Sequence, residues 1–102
     1  MADVHLSQQA HKNLRDLRNP AIIKQIIAQL ERLIDQPRLG KLLGDELQGY
    51  RAVRAARGRY RIVYEYQEEQ NKIVIIRIGI RRDRDRSDVY QQLKRDIRRS
   101  GR

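Results

Sequence analysis

The stretch Lys72–Arg82 reads KIVIIRIGIRR and decides the architecture of the chain. Its side chains alternate with a period of two, which is typical of a β-strand. The run is too apolar for an exposed sheet edge, so we predict a strand inside the sheet. The alternation assigns its side chains to two faces, one formed by Val74, Ile76, Ile78 and Ile80 and the other by Arg77, Gly79 and Arg81.

Further strands are predicted before this one. Tyr60–Tyr66 alternates tyrosine and isoleucine with other residues, and the polar residues Glu68–Asn71 form the turn of a hairpin that leads into Lys72–Arg82. Tyr50–Ala56 is another candidate strand, and residues 2–6 form a short first one.

Two amphipathic helices are predicted in the N-terminal third. Ser7 is a candidate N-cap for the first helix, and Asn19 followed by Pro20 begins the second. Isoleucine and leucine recur at helical spacing along the second helix until Pro37 stops it. The two helices form an αα-hairpin whose apolar face needs a sheet to cover it. Residues 38–49, with three glycines among leucines, predict a compact loop.

A short C-terminal helix completes the predicted elements. It carries Val89, Leu93 and Ile97 at helical spacing, and residues 98–102 beyond it are expected to fray because they lack an apolar anchor. We therefore predict one α+β domain over residues 1–102. It has a small, twisted, antiparallel-rich sheet of about four strands, with the helical hairpin on one face and the arginines on the opposite, concave face.

Charge and composition restrict the function classes. The 102 residues include 23 lysines and arginines against 13 acidic residues, and the net charge of +10 favours nucleic acid or an acidic protein as partner. The absence of cysteine excludes disulfides, thiolate zinc sites and cysteine nucleophiles. Two histidines do not provide a histidine-rich metal site, and no run approaches the roughly 20 apolar residues of a membrane span. Without a signal-peptide core at its start, we expect a cytoplasmic protein with no cofactor, metal or membrane contact.

Arginine is concentrated in and beside the predicted strands. A guanidinium is permanently charged and binds phosphate through paired donors, so a cluster of arginines can hold and neutralise a nucleic-acid backbone. The alternative is that each arginine is a solvated surface cation. Alternation places Arg77 and Arg81 on one face, and Arg61 on the same face of the neighbouring strand. The arginines concerned are Arg51, Arg54, Arg57, Arg59, Arg61, Arg77, Arg81 and Arg82.

Tyr90 opens the last helix directly after an arginine-rich connector. A tyrosine in this position can stack on a base or move a proton, while the residues alone favour packing. Asp83, Asp85 and Asp88 alternate with arginines in and near the connector. We interpret them as local ion pairs and as favourable negative charge at a helix N-terminus, and not as a metal site.

These motifs resemble a known family. The segments GRYRIVY at 58–64, IGIRR at 78–82 and DVY at 88–90, together with the order of the elements, resemble the RelE/ParE superfamily of toxins from bacterial toxin–antitoxin pairs. The RelE branch implies a ribosome-dependent endoribonuclease that cleaves translated mRNA without a metal, by attack of the 2′-hydroxyl on the adjacent phosphate. The alternative is the ParE branch, which shares the scaffold and inhibits DNA gyrase by protein binding, without nuclease chemistry.

The resemblance also implies partners and site residues. The partners are the ribosome, mRNA and a small antitoxin with an acidic and apolar segment that wraps the toxin. The catalytic arginines of the family correspond to Arg61 and Arg81, with Arg82 as the alternative to Arg81, and its C-terminal tyrosine corresponds to Tyr90. The remaining candidates are Arg54 or Arg51 for a catalytic contact from the preceding strand, and Arg51, Arg57, Arg77 and Arg82 for binding RNA.

Overall fold

The computed structural model describes residues 1–100 as a five-stranded sheet with three helices. The mixed α+β class, the N-terminal helical hairpin and the C-terminal helix agree with the prediction. None of the helices in this part of the chain combines the length and the apolar character that crossing a membrane requires. In chain order the elements are β1 (Asp3–Leu6), α1 (Gln8–Asp16), α2 (Pro20–Asp35), β2 (Lys41–Leu42), β3 (Arg51–Ala55), β4 (Tyr60–Gln67), β5 (Lys72–Ile80) and α3 (Val89–Arg99), with short 3₁₀ turns at Asp45–Leu47 and Glu68–Gln70.

β5 lies inside the sheet, as predicted. The strand order is β1-β5-β4-β3-β2, with β1 parallel to β5 and all other neighbours antiparallel. β2 lies within residues 38–49, where we predicted only a loop. The prediction missed this strand because two residues are too few for an alternating pattern to be recognised. The sheet therefore has five strands where about four were expected.

The helices α1 and α2 cover one face of the sheet. Both begin at a side-chain cap: Ser7 Oγ accepts a hydrogen bond from Ala10 N at 3.0 Å, and Asn19 Oδ1 caps α2 in the same way. Ile26 and Leu33 of α2 are completely buried against the sheet. Burying one side chain of this size contributes about 1.5–3 kcal/mol to the free energy of folding. This face forms the main core because it buries more apolar side chains than the other face. The strands supply Val53, Ala55, Ile62, Tyr64, Ile73, Ile75 and Ile78 to it.

The helix α3 covers only part of the opposite face. Val89 and Leu93 are buried there together with Val63 of β4. Gly79 of β5 permits this close approach, because an added Cβ would lie 3.1 Å from the side chain of Val89. On the same face, Arg54 of β3 remains exposed.

The C-terminal end of α3 is anchored by an ion pair. Arg98 donates from Nε and Nη2 to the two carboxylate oxygens of Glu46, at 2.9 and 2.5 Å. The prediction that fraying starts at residue 98 is therefore wrong for Arg98 and Arg99, which both belong to α3. Residues 101–102, to which that prediction also applied, lie outside the described part of the chain.

A bulge in β5 changes the predicted faces of this strand. The register between β4 and β5 shifts between Val63 and Tyr64, which leaves Ile76 as an additional residue in β5. Ile78 consequently lies in the core beneath the helical hairpin, while Ile76 contacts the cluster under α3. The prediction that these two isoleucines share a face is wrong, because strict alternation assumes an uninterrupted ladder.

Candidate nucleic-acid interface

A groove of about 480 Å³, here named the arginine groove, opens beside α3 over β3 and β4 and extends to α2. Among residues 1–100, no acidic side chain lines it, and no group of three or more His, Asp and Glu side chains is placed to hold a metal ion. A surface of this composition attracts anions. Its charged and phenolic lining consists of Arg32, Lys41, Arg54, Arg61, Arg81 and Tyr90.

Arg54 of β3 and Arg61 of β4 stand directly opposite each other in the antiparallel ladder. Like charges in this position destabilise a sheet, so the fold alone does not account for the pair. Within residues 1–100, neither arginine forms a salt bridge. Arg61 donates from Nη1 to the carbonyl oxygens of Gly58 and Tyr60, at 2.6 and 3.2 Å, which holds its guanidinium in place through one nitrogen.

Asp88 organises the other side of the groove from a fully buried position. Its Oδ1 accepts hydrogen bonds from Arg81 Nη1 at 2.7 Å and from the backbone N–H of Arg82 at 2.6 Å. Its Oδ2 caps α3 by accepting one from the N–H of Tyr90 at 3.0 Å. The guanidinium carbon of Arg81 lies 4.9 Å from the centroid of the Tyr90 ring, within cation–π distance. One carboxylate therefore fixes Arg81, the connector and the first turn of α3 relative to one another.

Arg81 is held as a cation in this setting. The side-chain hydrogen bond with Asp88 raises the pKa of Arg81 above its ordinary value, and the negative charges of Asp88 and Asp83 act in the same direction. The Arg81 side chain keeps 31% of its surface exposed and lines the groove. It can therefore contact an anion while Asp88 sets its position.

The arginines that the sequence left as alternatives occupy different places in the structure. Arg54 lines the groove. Arg51 is the cross-strand neighbour of Tyr64, so both side chains lie on the face of the sheet that the helical hairpin covers. There Arg51 donates from Nη1 to two backbone carbonyls, at 2.9 and 3.3 Å. Arg81 lines the groove, while the side chain of Arg82 is exposed at the start of the connector.

Two other candidate RNA contacts lie away from the groove. Arg77 is only 6% exposed beneath α3, where it donates to Gln92 Oε1 at 2.9 Å and forms an ion pair with Asp96. Its guanidinium fastens α3 to the sheet and is not accessible to RNA in this structure. Arg57 is exposed in the turn between β3 and β4, in a left-handed conformation with φ of 58°. A non-glycine residue there costs about 1–2 kcal/mol.

Three contributors to the site were missed by sequence reasoning. Asp88 was interpreted only as an ion-pairing residue at a helix terminus, although its place immediately before Val89 is the signal of an N-cap. Lys41 and Arg32 reach the groove through the packing of β2 and α2 against β3, which no local pattern indicates.

The sequence matches a family model over residues 4–85, described as the ParE toxin of type II toxin–antitoxin system, parDE. This match covers most of the chain and confirms the resemblance seen in its motifs. The chain belongs to the RelE/ParE superfamily of toxins. It is thus a toxin of a toxin–antitoxin system. Among curated proteins, no sequence matches the toxin significantly.

Solved structures of other toxins share its fold. The RelBE2 toxin–antitoxin complex from Mycobacterium tuberculosis contains a chain 32% identical to this one, with a TM-score of 0.68 over 78% of this chain and 98% of that chain. The isolated E. coli RelE toxin is 23% identical, with a TM-score of 0.69 over 95% of this chain and 99% of that one. The YoeB/ParE toxin from Agrobacterium tumefaciens is 15% identical, with a TM-score of 0.68 over 78% and 99%. The RelBE2 complex supports a cognate antitoxin as the partner of this toxin.

Proposed function

We propose that this toxin is a ribosome-dependent endoribonuclease that cleaves translated mRNA without a metal ion. The observation that carries the proposal is the arginine groove, where Arg61 and Arg81 lie with Tyr90 among other cations. A phosphodiester gains negative charge on its phosphoryl oxygens as the phosphorus becomes pentacoordinate. Fixed cations around it therefore favour the transition state over the bound substrate.

Cleavage is proposed to begin with the 2′-hydroxyl of the mRNA itself. Its oxygen attacks the adjacent phosphorus, and the bond from phosphorus to the 5′-oxygen of the next nucleotide breaks. The products are a 2′,3′-cyclic phosphate and a 5′-hydroxyl, so one proton leaves the 2′-oxygen and one reaches the 5′-oxygen. Arg61 and Arg81 stabilise the phosphoryl oxygens, and Arg54, directly opposite Arg61, stabilises the departing oxygen.

Proton transfer falls to groups other than arginine. A guanidinium stays protonated at ordinary pH and is not a general base. Tyr90 offers a hydroxyl on a ring held beside Arg81, and it either deprotonates the attacking ribose or stacks on a base. A ribosomal group or the substrate completes the transfer. Dependence on the ribosome follows, because the toxin supplies electrostatic stabilisation while the ribosome orients the mRNA strand.

The antitoxin is proposed to bind through a segment rich in acidic and apolar residues. The net charge of +10 attracts such a segment. An apolar groove of about 530 Å³ lies along α2, lined by Ile23 and the exposed Ile27, and its charged lining consists of Arg18, Lys24 and Glu31. A segment that wraps the toxin would disable it by covering the arginine groove or by displacing α3.

Induced expression followed by mapping of the 5′ ends of cellular mRNA tests the proposal. We expect cuts within translated frames for the wild type, and neither cuts nor growth inhibition for Arg61→Ala and Arg81→Ala. Removing one transition-state donor typically slows a reaction by about 10²–10³-fold. Arg59→Ala is the matched control: its side chain is exposed on the same hairpin but does not line the groove, so it should stay toxic. Full toxicity of the Arg61 and Arg81 variants would contradict the assignment.

Inhibition of DNA gyrase by protein binding is the second candidate function. The matching family model is that of ParE toxins, and its match ends at residue 85, before Tyr90. If this candidate holds, Arg61→Ala and Tyr90→Ala leave toxicity intact, mRNA stays uncut, and purified gyrase loses supercoiling activity when the toxin is added. Both candidate activities belong in the cytoplasm, and the same expression experiment distinguishes them.

A further inference from the structure

The arginine groove continues past Arg54 over an open edge of the sheet. β2 pairs only with Arg51 and Ala52 of β3, so within residues 1–100 no strand borders the remainder of β3 on that side. α2 lies beside this edge, where Gln29 Nε2 donates to the carbonyl of Arg54 at 2.6 Å. We call the part of the groove lined by Gln29 and Arg32 of α2 and by Lys41 of β2 its second section.

Two cations line this second section. Arg32 of α2 donates from Nη1 to Gln29 Oε1 at 3.0 Å, and Gln29 in turn binds the carbonyl of Arg54. Two successive hydrogen bonds therefore place the Arg32 guanidinium beside β3. Lys41 enters the same groove from β2. Both side chains are exposed, and within residues 1–100 neither forms a salt bridge.

Each of these cations also has a structural explanation of its own. Arg32 lies in the last turn of α2, where positive charge complements the helix dipole. A lysine on a short edge strand, such as Lys41, opposes pairing with another chain. Neither explanation accounts for their meeting in one groove with the other arginines, where like charges repel. An anionic ligand that spans the groove removes this repulsion.

We propose that Arg32 and Lys41 form a second phosphate subsite, which binds the backbone of single-stranded RNA beyond the scissile phosphate. This inference rests on the proposed function, since the scissile phosphate is placed at Arg61 and Arg81. A single strand carries one phosphate per nucleotide, so a strand seated there presents its next phosphates along the groove towards Arg54 and then Arg32. The subsite contributes affinity and sets the direction of the strand, and it takes no part in bond breaking.

A salt titration of RNA binding tests the subsite. The probe is a fluorescent single-stranded 2′-O-methyl RNA, which lacks the attacking hydroxyl and stays intact. The slope of log K against log salt concentration should decrease by about 0.7 in Arg32→Ala and in Lys41→Ala, as expected for one lost single-strand phosphate contact. Lys12→Ala removes the same charge from an exposed position of α1, outside both grooves, and should leave the slope unchanged. Melting temperatures verify that all three variants are folded.

An uncharged methylphosphonate linkage locates the phosphate that is bound. Moved stepwise along the probe, it should weaken wild-type binding at the linkage held by the subsite. At that linkage it should cost Arg32→Ala and Lys41→Ala little further affinity, because the contact is already lost. Equal losses in wild type and variants, or salt slopes that do not change, would overturn the subsite.

The outcome for the subsite is distinguishable from that for the nuclease. If the variants change the slopes as expected while cellular mRNA is never cut, the subsite stands and the proposed nuclease fails. If the two substitutions weaken binding of a polyglutamate peptide but not of RNA, the subsite is overturned in favour of an acidic protein segment.

Discussion

At the scale of single residues, Asp88 combines three roles in one side chain. It caps α3, pairs with Arg81 and accepts the backbone N–H of Arg82. A fully buried carboxylate is tolerated when it is both paired and hydrogen-bonded, and Asp88 meets both conditions. Asparagine at this position keeps one oxygen for the cap and loses both the charge and the second acceptor oxygen, so it tests the pairing with Arg81 and Arg82 while the cap remains.

We expect Asp88→Asn to slow mRNA cleavage and to lower the melting temperature, because the amide NH2 would face the donors of Arg81 and Arg82 that Oδ1 accepts from in the wild type. Asparagine caps helices about as well as aspartate, whereas Arg81 loses its anionic partner. Asp88→Ala should in addition lower the free energy of unfolding by about 1 kcal/mol or more, because the cap is lost. Asp3→Asn, exposed on β1 and without a side-chain hydrogen bond or salt bridge within residues 1–100, is the control and should behave as wild type. Equal melting temperatures for the two Asp88 variants would refute the capping role.

Substitution of Tyr90 separates chemistry from stacking and packing. If the hydroxyl transfers a proton, Tyr90→Phe should slow cleavage by roughly 10²–10⁴-fold with ribosome binding little changed. If the ring stacks on a base, phenylalanine is tolerated and only Tyr90→Ala is damaging. If the residue only packs, Tyr90→Ala lowers the melting temperature along with activity. Tyr50→Phe is the matched control, since Tyr50 contacts the same apolar cluster but does not line the groove. We expect the first outcome, and a wild-type cleavage rate for Tyr90→Phe would exclude it.

At the scale of elements, α3 is held by polar contacts along its whole length. Besides the Asp88 cap at its start, Arg77 binds it in the middle through Gln92 and Asp96, and Arg98 joins its end to Glu46. Its fully or nearly buried apolar side chains are few, Val89 and Leu93. A helix attached in this way responds to pH and salt more strongly than one held by apolar burial alone.

The Glu46–Arg98 pair predicts a pH-dependent contribution to stability. The hydrogen bond from Arg98 lowers the pKa of Glu46 below its ordinary value of 4.5. Because the folded-state pKa is depressed, the contribution is fully present above pH 4.5 and is lost as the pH falls through the lower folded value. Glu46→Gln should therefore melt below wild type at pH 7, and the difference should vanish in acid. Asp45→Asn, at the neighbouring exposed position, should show no such convergence. A difference that stays constant with pH would contradict the assignment.

Local sequence signals predicted the elements, whereas tertiary neighbours decided the details of the site. The caps at Ser7 and Asn19 and the alternation in β4 are local, and the structure confirms them. The extra residue Ile76 in β5 depends on how β4 pairs with it, which an alternating pattern does not encode. Alternation correctly placed Arg61 and Arg77 on the same face. The position of α3 then determines that Arg77 is enclosed while Arg61 lines an open groove.

At the scale of the whole molecule, the excess of positive charge affects how fast partners arrive. The net charge is +10 on 102 residues. Within residues 1–100, no acidic side chain lines the arginine groove. A field of this kind accelerates association with an anionic partner, and salt screens it. The apolar groove on α2 contributes to binding only once the partner buries its surface, because the hydrophobic effect has no long-range component. The two surfaces are therefore expected to control different rate constants of antitoxin binding.

We expect the association rate of the cognate antitoxin to fall as ionic strength rises from about 0.01 M to about 0.15 M, since the Debye length shrinks from about 30 Å to about 8 Å. Ile27→Ser should instead raise the dissociation rate, by roughly tenfold for a loss of about 1.4 kcal/mol, because Ile27 is 44% exposed in the apolar groove and free to be buried by a partner. Ala21→Ser, also exposed on α2 but outside that groove, is the matched control. Stopped-flow mixing gives the association rates and competition with unlabelled antitoxin gives the dissociation rates. An antitoxin that associates equally fast at both ionic strengths would rule out electrostatic steering, and an unchanged dissociation rate in Ile27→Ser would remove α2 from the interface.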